Sequence, residues 1–142
     1  INGVRYINDS ASTMPVAGQA ALRSFDGPIV LLAGGNTKHL PLGDWPRLIV
    51  ERCRDVVLLK GTGTDELLPA MREEVTRLGV SDPLRGFFDD FAAAMHYAVS
   101  LTRPGDTLLF SPGCTSFGMF LNEFDRGNKF VAYVRTLERE EL

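Results

Sequence analysis

The sequence predicts an α/β domain in which helices cover both faces of a mostly parallel sheet. Three segments are apolar runs that lack the polar alternation of a half-exposed strand, which is typical of strands buried on both faces. A fourth, near the start of the chain, is short and rich in β-branched and aromatic residues. Apolar residues at helical spacing lie between them, and such alternation favours a parallel sheet. The predicted strands are residues 4–7, 28–33, 55–60 and 107–110.

Helices are predicted where apolar residues recur three and four positions apart and where capping residues stand at the ends. Pro15 suits the first turn of a helix, with Thr13 or Met14 as its cap, and Asp44 is a candidate cap for the next helix. The complete set predicts a three-layer, Rossmann-like domain. The predicted helices are residues 15 to about 24; 44–53; 64–78, opened by Thr64 and closed by Gly79; one that carries the stripe Phe88, Phe91, Ala92, Met95 and Val99; a short one from Phe117 that ends near Gly127; and a final amphipathic segment over 130–137.

Three polar loops follow predicted strands, at residues 8–13, 34–39 and 111–116. In open parallel sheets, ligands bind beyond the carboxyl ends of the strands. Glycines after a strand let a ligand approach the backbone, and helix N-termini attract anions, to which Lys38 would add a full positive charge. The loops therefore predict an anion-binding site. Neither GxGxxG nor GxxxxGK[ST] occurs, so the chain is not expected to bind ATP phosphates by those routes.

Composition restricts the class of protein. A chain of 142 residues with 44% hydrophobic content fits one domain with its own core. The net charge of −3 disfavours nucleic acid as a partner, and no apolar run reaches the roughly 18 residues needed to span a membrane. Two cysteines make no disulfide framework, so we expect a monomer in a reducing cytoplasm. The sequence begins with Ile1 rather than Met, which suggests a piece of a longer chain.

The chain contains a series of motifs: Gly3-Val4-Arg5-Tyr6-Ile7-Asn8-Asp9-Ser10; Ala33-Gly34-Gly35 with Lys38; Pro104-Gly105-Asp106; and Ser111-Pro112-Gly113-Cys114-Thr115-Ser116-Phe117, continued by Phe120, Asn122 and Arg126-Gly127-Asn128. In their order and spacing these motifs resemble the C-terminal domain of the Mur ligase family, closest to the ligases that add D-glutamate to UDP-N-acetylmuramoyl-L-alanine. The resemblance covers nearly the whole chain.

This resemblance implies a substrate-binding domain of an ATP-dependent peptide ligase of cell-wall peptidoglycan synthesis, which works through an acyl phosphate. ATP and Mg²⁺ would be bound mainly by a central domain absent from this chain, and the isolated chain would be inactive. The partners implied are glutamate, UDP-N-acetylmuramoyl-L-alanine and the other domains of the ligase. Asp9 matches the position that reaches the ATP ribose. The positions of the glutamate pocket are matched by Thr13, Lys38, Ser116 and Phe117.

Two residues depart from the family pattern: Ala11 stands where a lysine is usual, and Glu123 stands where the glutamate pocket has an aromatic residue, which Phe124 could replace. Other interpretations of the matched residues also exist. Lys38 could be an ordinary solvated lysine, Thr13 and Ser116 could be helix caps, and Asp9 could stabilise a turn through its side chain.

The other reactive residue types are not assigned to a site. The two histidines and the cysteines form no cluster at metal-ligand spacing, and Cys114 is expected to be a packed thiol. A stand-alone, non-catalytic α/β binding or interaction module of the same fold remains the alternative function.

Overall fold

The computed structural model describes residues 1–116 and 118–141. Its sheet has five parallel strands in the spatial order β1-β5-β2-β3-β4. The prediction of a parallel α/β sheet is confirmed. The strands are β1 (Arg5–Asn8), β2 (Ile29–Gly34), β3 (Cys53–Leu59), β4 (Leu84–Phe88) and β5 (Thr107–Phe110).

Helices cover both faces of the sheet, as the sequence predicts for a three-layer domain. Alternate residues of the central strands point to opposite faces. In β2, Leu31 and Ala33 pack in the core beneath α1, α2 and α3, whereas Val30 and Leu32 pack beneath α4 and α5. The helices are α1 (Pro15–Ser24), α2 (Trp45–Arg52), α3 (Thr62–Leu78), α4 (Phe91–Leu101) and α5 (Glu123–Glu141). None of the described helices is long and apolar enough to cross a membrane.

Strand β4 was missed by the sequence analysis, which placed Phe88 in a helical stripe. Phe88 ends β4 and pairs with Leu59 of β3, and α4 begins three residues later. The start of that helix is fixed by Asp90, whose carboxylate accepts a hydrogen bond from the Ala93 amide at 2.8 Å. An edge strand with alternating exposure lacks the continuous apolar run that identified the buried strands.

The predicted break near Gly127 is also wrong. Helix α5 runs unbroken from Glu123 to Glu141, and residues 118–122 are not helical. Gly127 is buried, and a Cβ at this position would lie 2.5 Å from Ser10 Oγ. The glycine therefore permits close packing of α5 on the loop after β1, although a glycine at that place usually predicts a helix end.

The predicted caps of α1 and α2 are right in position but not in their hydrogen bonding. Met14 and Asp44 are the N-cap residues of these helices, and neither makes a side-chain cap hydrogen bond. Asp44 instead lies 3.3 Å from Arg47 in an ion pair. Helix α3 begins at Thr62, and the Thr64 hydroxyl donates to the Leu59 carbonyl rather than opening the helix.

Candidate functional site

The three predicted loops meet at the carboxyl edge of the sheet, where the backbone joins them. We call them the first loop (residues 9–14, after β1), the second loop (35–44, after β2) and the third loop (111–122, after β5). Thr115 donates its amide to the Asn36 carbonyl at 2.8 Å, and Asn36 donates back at 3.3 Å, which joins the second and third loops. The amide of Gly113 donates to Ser12 Oγ at 3.2 Å, which joins the third loop to the first.

Arg126 holds the first and third loops together from the start of α5. Its guanidinium donates to the carbonyls of Cys114 at 2.9 Å, Ser10 at 2.7 Å and Ser12 at 3.4 Å. The residue is 0% exposed, and its Nε has no partner among the described residues. Burial lowers the pKa of this guanidinium, because desolvation disfavours the charged form. The sequence analysis quoted Arg126 within a motif but gave it no role.

The predicted acceptor residues lie on these joined loops with uncommitted side chains. Lys38 is exposed and makes no ion pair with any described residue. Thr13 is half-buried and Ser116 is 8% exposed, and neither side chain makes a hydrogen bond within the described part of the chain. The interpretation of Thr13 as the α1 cap is therefore wrong. Phe117, the fourth predicted pocket residue, lies outside the described residues.

The first turn of α3 does not offer the open amides expected of an anion site. The Gly35 carbonyl accepts from the amides of Gly63 and Thr64 at 2.9 and 3.2 Å, and Asn36 Oδ1 accepts from the Thr62 amide at 3.0 Å. The second loop thus caps α3. At the start of α1, by contrast, Pro15 occupies the first turn and no side chain caps the helix, so an anion there would meet no competing cap.

A second lysine at the carboxyl edge was not singled out from the sequence. Lys60 follows β3 directly, and its side chain is exposed. With Asn36, Gly118 and Asp89 it lines a cavity of about 250 Å³ beside the third loop. From the sequence, Lys60 was predicted only as the last residue of a buried strand, so its position at the carboxyl edge of the sheet was not predicted.

Asp9 points toward β5 rather than into its own turn. Its Oδ2 accepts a hydrogen bond from Ser111 Oγ at 2.7 Å, and the turn is formed by Asn8, whose Oδ1 accepts from the Ser10 amide at 3.2 Å. The interpretation of Asp9 as a side-chain turn former is therefore wrong. Burial raises the pKa of Asp9, and the hydrogen bond from Ser111 partly opposes this because it stabilises the carboxylate.

Two further expectations can be compared with the structure. Cys114 is 4% exposed, and burial raises the pKa of its thiol to about 12, so it is a packed thiol as predicted. Phe124 is 74% exposed at the second residue of α5, so its ring is not packed in the core of this domain. Within the described residues there is no group of three His, Cys, Asp or Glu side chains that could hold a metal ion.

No model of a known protein family matches the chain. It is, however, similar to curated proteins named UDP-N-acetylmuramoylalanine--D-glutamate ligase. The identity is 51% over 136 residues for the protein from Roseiflexus sp. (strain RS-1), with 96% of this chain and 28% of that protein covered. It is 38% over 140 residues for the protein from Desulfitobacterium hafniense (strain Y51), with 99% and 29% covered.

The chain belongs to this ligase family. A third relative, from Symbiobacterium thermophilum, is 38% identical over 141 residues, and again 96% of this chain aligns. The chain spans about 29% of the length of these curated relatives. A solved ligase domain from Haemophilus ducreyi superposes on 80% of this chain, and the superposition covers 82% of that domain's own chain. The sequence identity is 14% and the TM-score is 0.48.

Proposed function

We propose that the chain is the acceptor-binding domain of an ATP-dependent ligase that joins D-glutamate to UDP-N-acetylmuramoyl-L-alanine. The names of the relatives support this reaction, and their greater length supports further domains, including one that carries the ATPase machinery. We place this domain at the C-terminal end of that ligase, and we propose that the ligase acts as a cytoplasmic monomer. The observation that carries the proposal is the set of three joined loops on which Lys38 has no ion-pair partner among the described residues.

Lys38 is assigned to a carboxylate of the incoming glutamate. A carboxylate binds well where an ammonium group and hydroxyl donors are both available, since each donor satisfies a lone pair of the anion. Thr13 and Ser116 are assigned as those hydroxyl donors, because their side chains are not used within the described chain. Phe117 stays a proposed member of the pocket. The loops that carry Lys38 and Ser116 are joined by the pair of Asn36 and Thr115, which limits their relative movement.

Asp9 is assigned to the ribose of ATP, and its geometry fits that role. One carboxylate oxygen is bound by Ser111, and no described residue donates to the other. Asp9 is also one of the residues that line a groove of about 420 Å³ between β1 and α1, and this half-buried position leaves room for a ligand hydroxyl. Bound ATP with Mg²⁺ would supply the phosphoryl group that activates the carboxylate of the nucleotide-linked alanine. This domain would hold the acceptor glutamate so that its amine attacks the phosphorylated carboxyl carbon, with inorganic phosphate as the leaving group.

The test is Lys38→Ala in the complete ligase. A lysine contact to a carboxylate in a closing cleft is stronger than an exposed ion pair, so kcat/KM for D-glutamate should fall by roughly 2 to 5 kcal/mol in transition-state free energy. Positional exchange of labelled oxygen within ATP, measured with UDP-N-acetylmuramoyl-L-alanine and without D-glutamate, should survive, because it precedes the use of the acceptor.

Lys129→Ala is the matched control, since Lys129 pairs with Asp125 at 3.1 Å on α5, outside the proposed pocket. It should leave both assays unchanged. Intact D-glutamate kinetics in Lys38→Ala would contradict the pocket assignment. Equal loss of exchange and ligation in the folded variant would contradict it too, since Lys38 would then act before the acceptor step.

A further inference from the structure

Buried Ser111 and half-buried Asp9 form a side-chain pair that is 102 positions apart in the sequence. Strands β1 and β5 are parallel neighbours, with Asn8 opposite Phe110, so the residues that follow these two leave the sheet at the same level. The Asp9 amide donates to the Phe110 carbonyl at 2.8 Å, and the Ser111 amide donates to the Leu32 carbonyl at 3.2 Å. Backbone hydrogen bonds to the sheet therefore fix the positions of Asp9 and Ser111 independently of the contact between their side chains.

The side-chain hydrogen bond uses only part of the carboxylate. Ser111 is 1% exposed, and its hydroxyl proton is directed to Asp9 Oδ2 at 2.7 Å. A carboxylate has about four acceptor positions on its two oxygens. No described residue donates to Oδ1, and Asp9 is one of the residues that line the groove between β1 and α1. The pair is arranged so that one oxygen is held by the protein and the other is left for a ligand.

We propose that Ser111 is a positioning residue that holds the Asp9 carboxylate in the orientation in which its free oxygen accepts a hydrogen bond from a ribose hydroxyl of the nucleotide. The proposal rests on the proposed function, because it requires that Asp9 contacts ATP. Ser111 itself does not touch the nucleotide. Without its hydroxyl, the Asp9 side chain would lose its hydrogen-bonded anchor among the described residues and could turn away from the ligand.

The experiment measures ATP kinetics of Ser111→Ala in the complete ligase, with 2′-deoxy-ATP and 3′-deoxy-ATP as probes. We expect the KM for ATP to rise about 5-fold, the usual effect of one hydrogen bond, while the KM for D-glutamate stays within about 2-fold. With the analogue that lacks the hydroxyl bound by Asp9, Ser111→Ala and the unchanged enzyme should have the same KM. The three nucleotides are compared on the same Ser111→Ala protein, so a folding defect would raise the KM equally for all three of them.

Two further variants separate the possible outcomes. Ser100→Ala removes an exposed hydroxyl on α4 and should leave every KM unchanged. Asp9→Asn should raise the KM for ATP at least as much as Ser111→Ala does. Ser111 does not position Asp9 if Asp9→Asn raises the KM for ATP and Ser111→Ala does not. The same conclusion holds if Ser111→Ala raises the KM equally for ATP and for both deoxy analogues. If Asp9→Asn has no effect, the ATP contact in the proposed function fails as well, whereas the Lys38 test of the acceptor pocket is independent of all these results.

Discussion

Replacing Arg126 with methionine tests whether one buried side chain holds the candidate site together. Methionine has a similar reach and no donor, so Arg126→Met keeps much of the packing volume and removes the hydrogen bonds. Two of these bonds are short, at 2.7 Å to Ser10 and 2.9 Å to Cys114, whereas the third, at 3.4 Å to Ser12, is too long to count for much.

The expected cost follows from these contacts. A hydrogen bond from a charged donor contributes about 1.5 to 3 kcal/mol, so two such bonds contribute roughly 3 to 6 kcal/mol. These values are already net of desolvation, and the methionine side chain retains part of the packing, so the expected loss lies at the lower end, about 3 to 4 kcal/mol. Most domains, with a stability of about 5 to 15 kcal/mol, tolerate such a loss without unfolding.

The measurement is urea unfolding of this chain, followed by fluorescence of Trp45. The control is Arg47→Met, which removes ion pairs with Asp44 and Glu51 at the surface and should leave the unfolding free energy close to that of the unchanged chain. Amide exchange in the first and third loops should increase in Arg126→Met, since the loops lose their common anchor. If Arg126→Met is as stable as the control and its loops exchange no faster, the guanidinium does not hold the loops.

The remaining predictions concern the core of the fold. Burial would raise the pKa of Asp106, but hydrogen bonds from Arg54 and the Arg103 amide outweigh this and hold its pKa below the usual value. Because the pKa of Asp106 is lower in the folded state, its ionised carboxylate adds stability at pH values above the pKa of the unfolded state, about 4. This stability is lost as the pH falls through the lower pKa of the folded state. The unfolding free energy should therefore decrease as pH is lowered below about 5, and Asp106→Asn should flatten that decrease. The control, Asp26→Asn at an exposed position, should leave the decrease unchanged. Equal slopes of unfolding free energy against pH in both variants would contradict this prediction. Gly113→Ala should destabilise the chain by about 2 to 4 kcal/mol in the same urea assay, because Gly113 has φ +63° and a Cβ there would overlap the Trp45 ring, and a loss below about 1 kcal/mol would contradict the packing.

The buried part of the sheet was predictable from sequence because burial on both faces leaves a clear signal. Strands β2, β3 and β5 contain the continuous apolar runs 29–33, 56–59 and 108–110, and each of these runs is buried. Strand β4 lies at the edge, where only part of each face is covered, so its Leu-Arg-Gly-Phe-Phe sequence resembles a loop that leads into α4. Its Phe88 then matched the helical spacing of α4 by coincidence.

The three loops at the carboxyl edge of the sheet were predictable from sequence, but the contacts that hold them together were not. Polar residues after parallel strands indicated the loops, and the motif resemblance assigned Thr13, Lys38 and Ser116 to a pocket, which stays a prediction. Arg126 acts through backbone carbonyls, which every residue has, so no pattern in the sequence reveals its partners. Gly127 was misread for a related reason, since its close contact with Ser10 joins residues more than 100 positions apart.

The division of hydrogen bonds in the site explains how a set of loops could bind a small amino acid. The loops are joined by hydrogen bonds to backbone groups, such as those between Asn36 and Thr115 and from Arg126 to Cys114. These hydrogen bonds form without a ligand. The side chains of Lys38 and Ser116 are left out of these contacts among the described residues. The entropy of ordering the loop backbones is therefore lost when the domain folds, not when the acceptor binds. Under the proposed function, acceptor binding to this domain then fixes mainly side-chain rotamers. The affinity of the complete ligase for D-glutamate should therefore depend far more on the identity of these side chains than on the length of the loops that carry them.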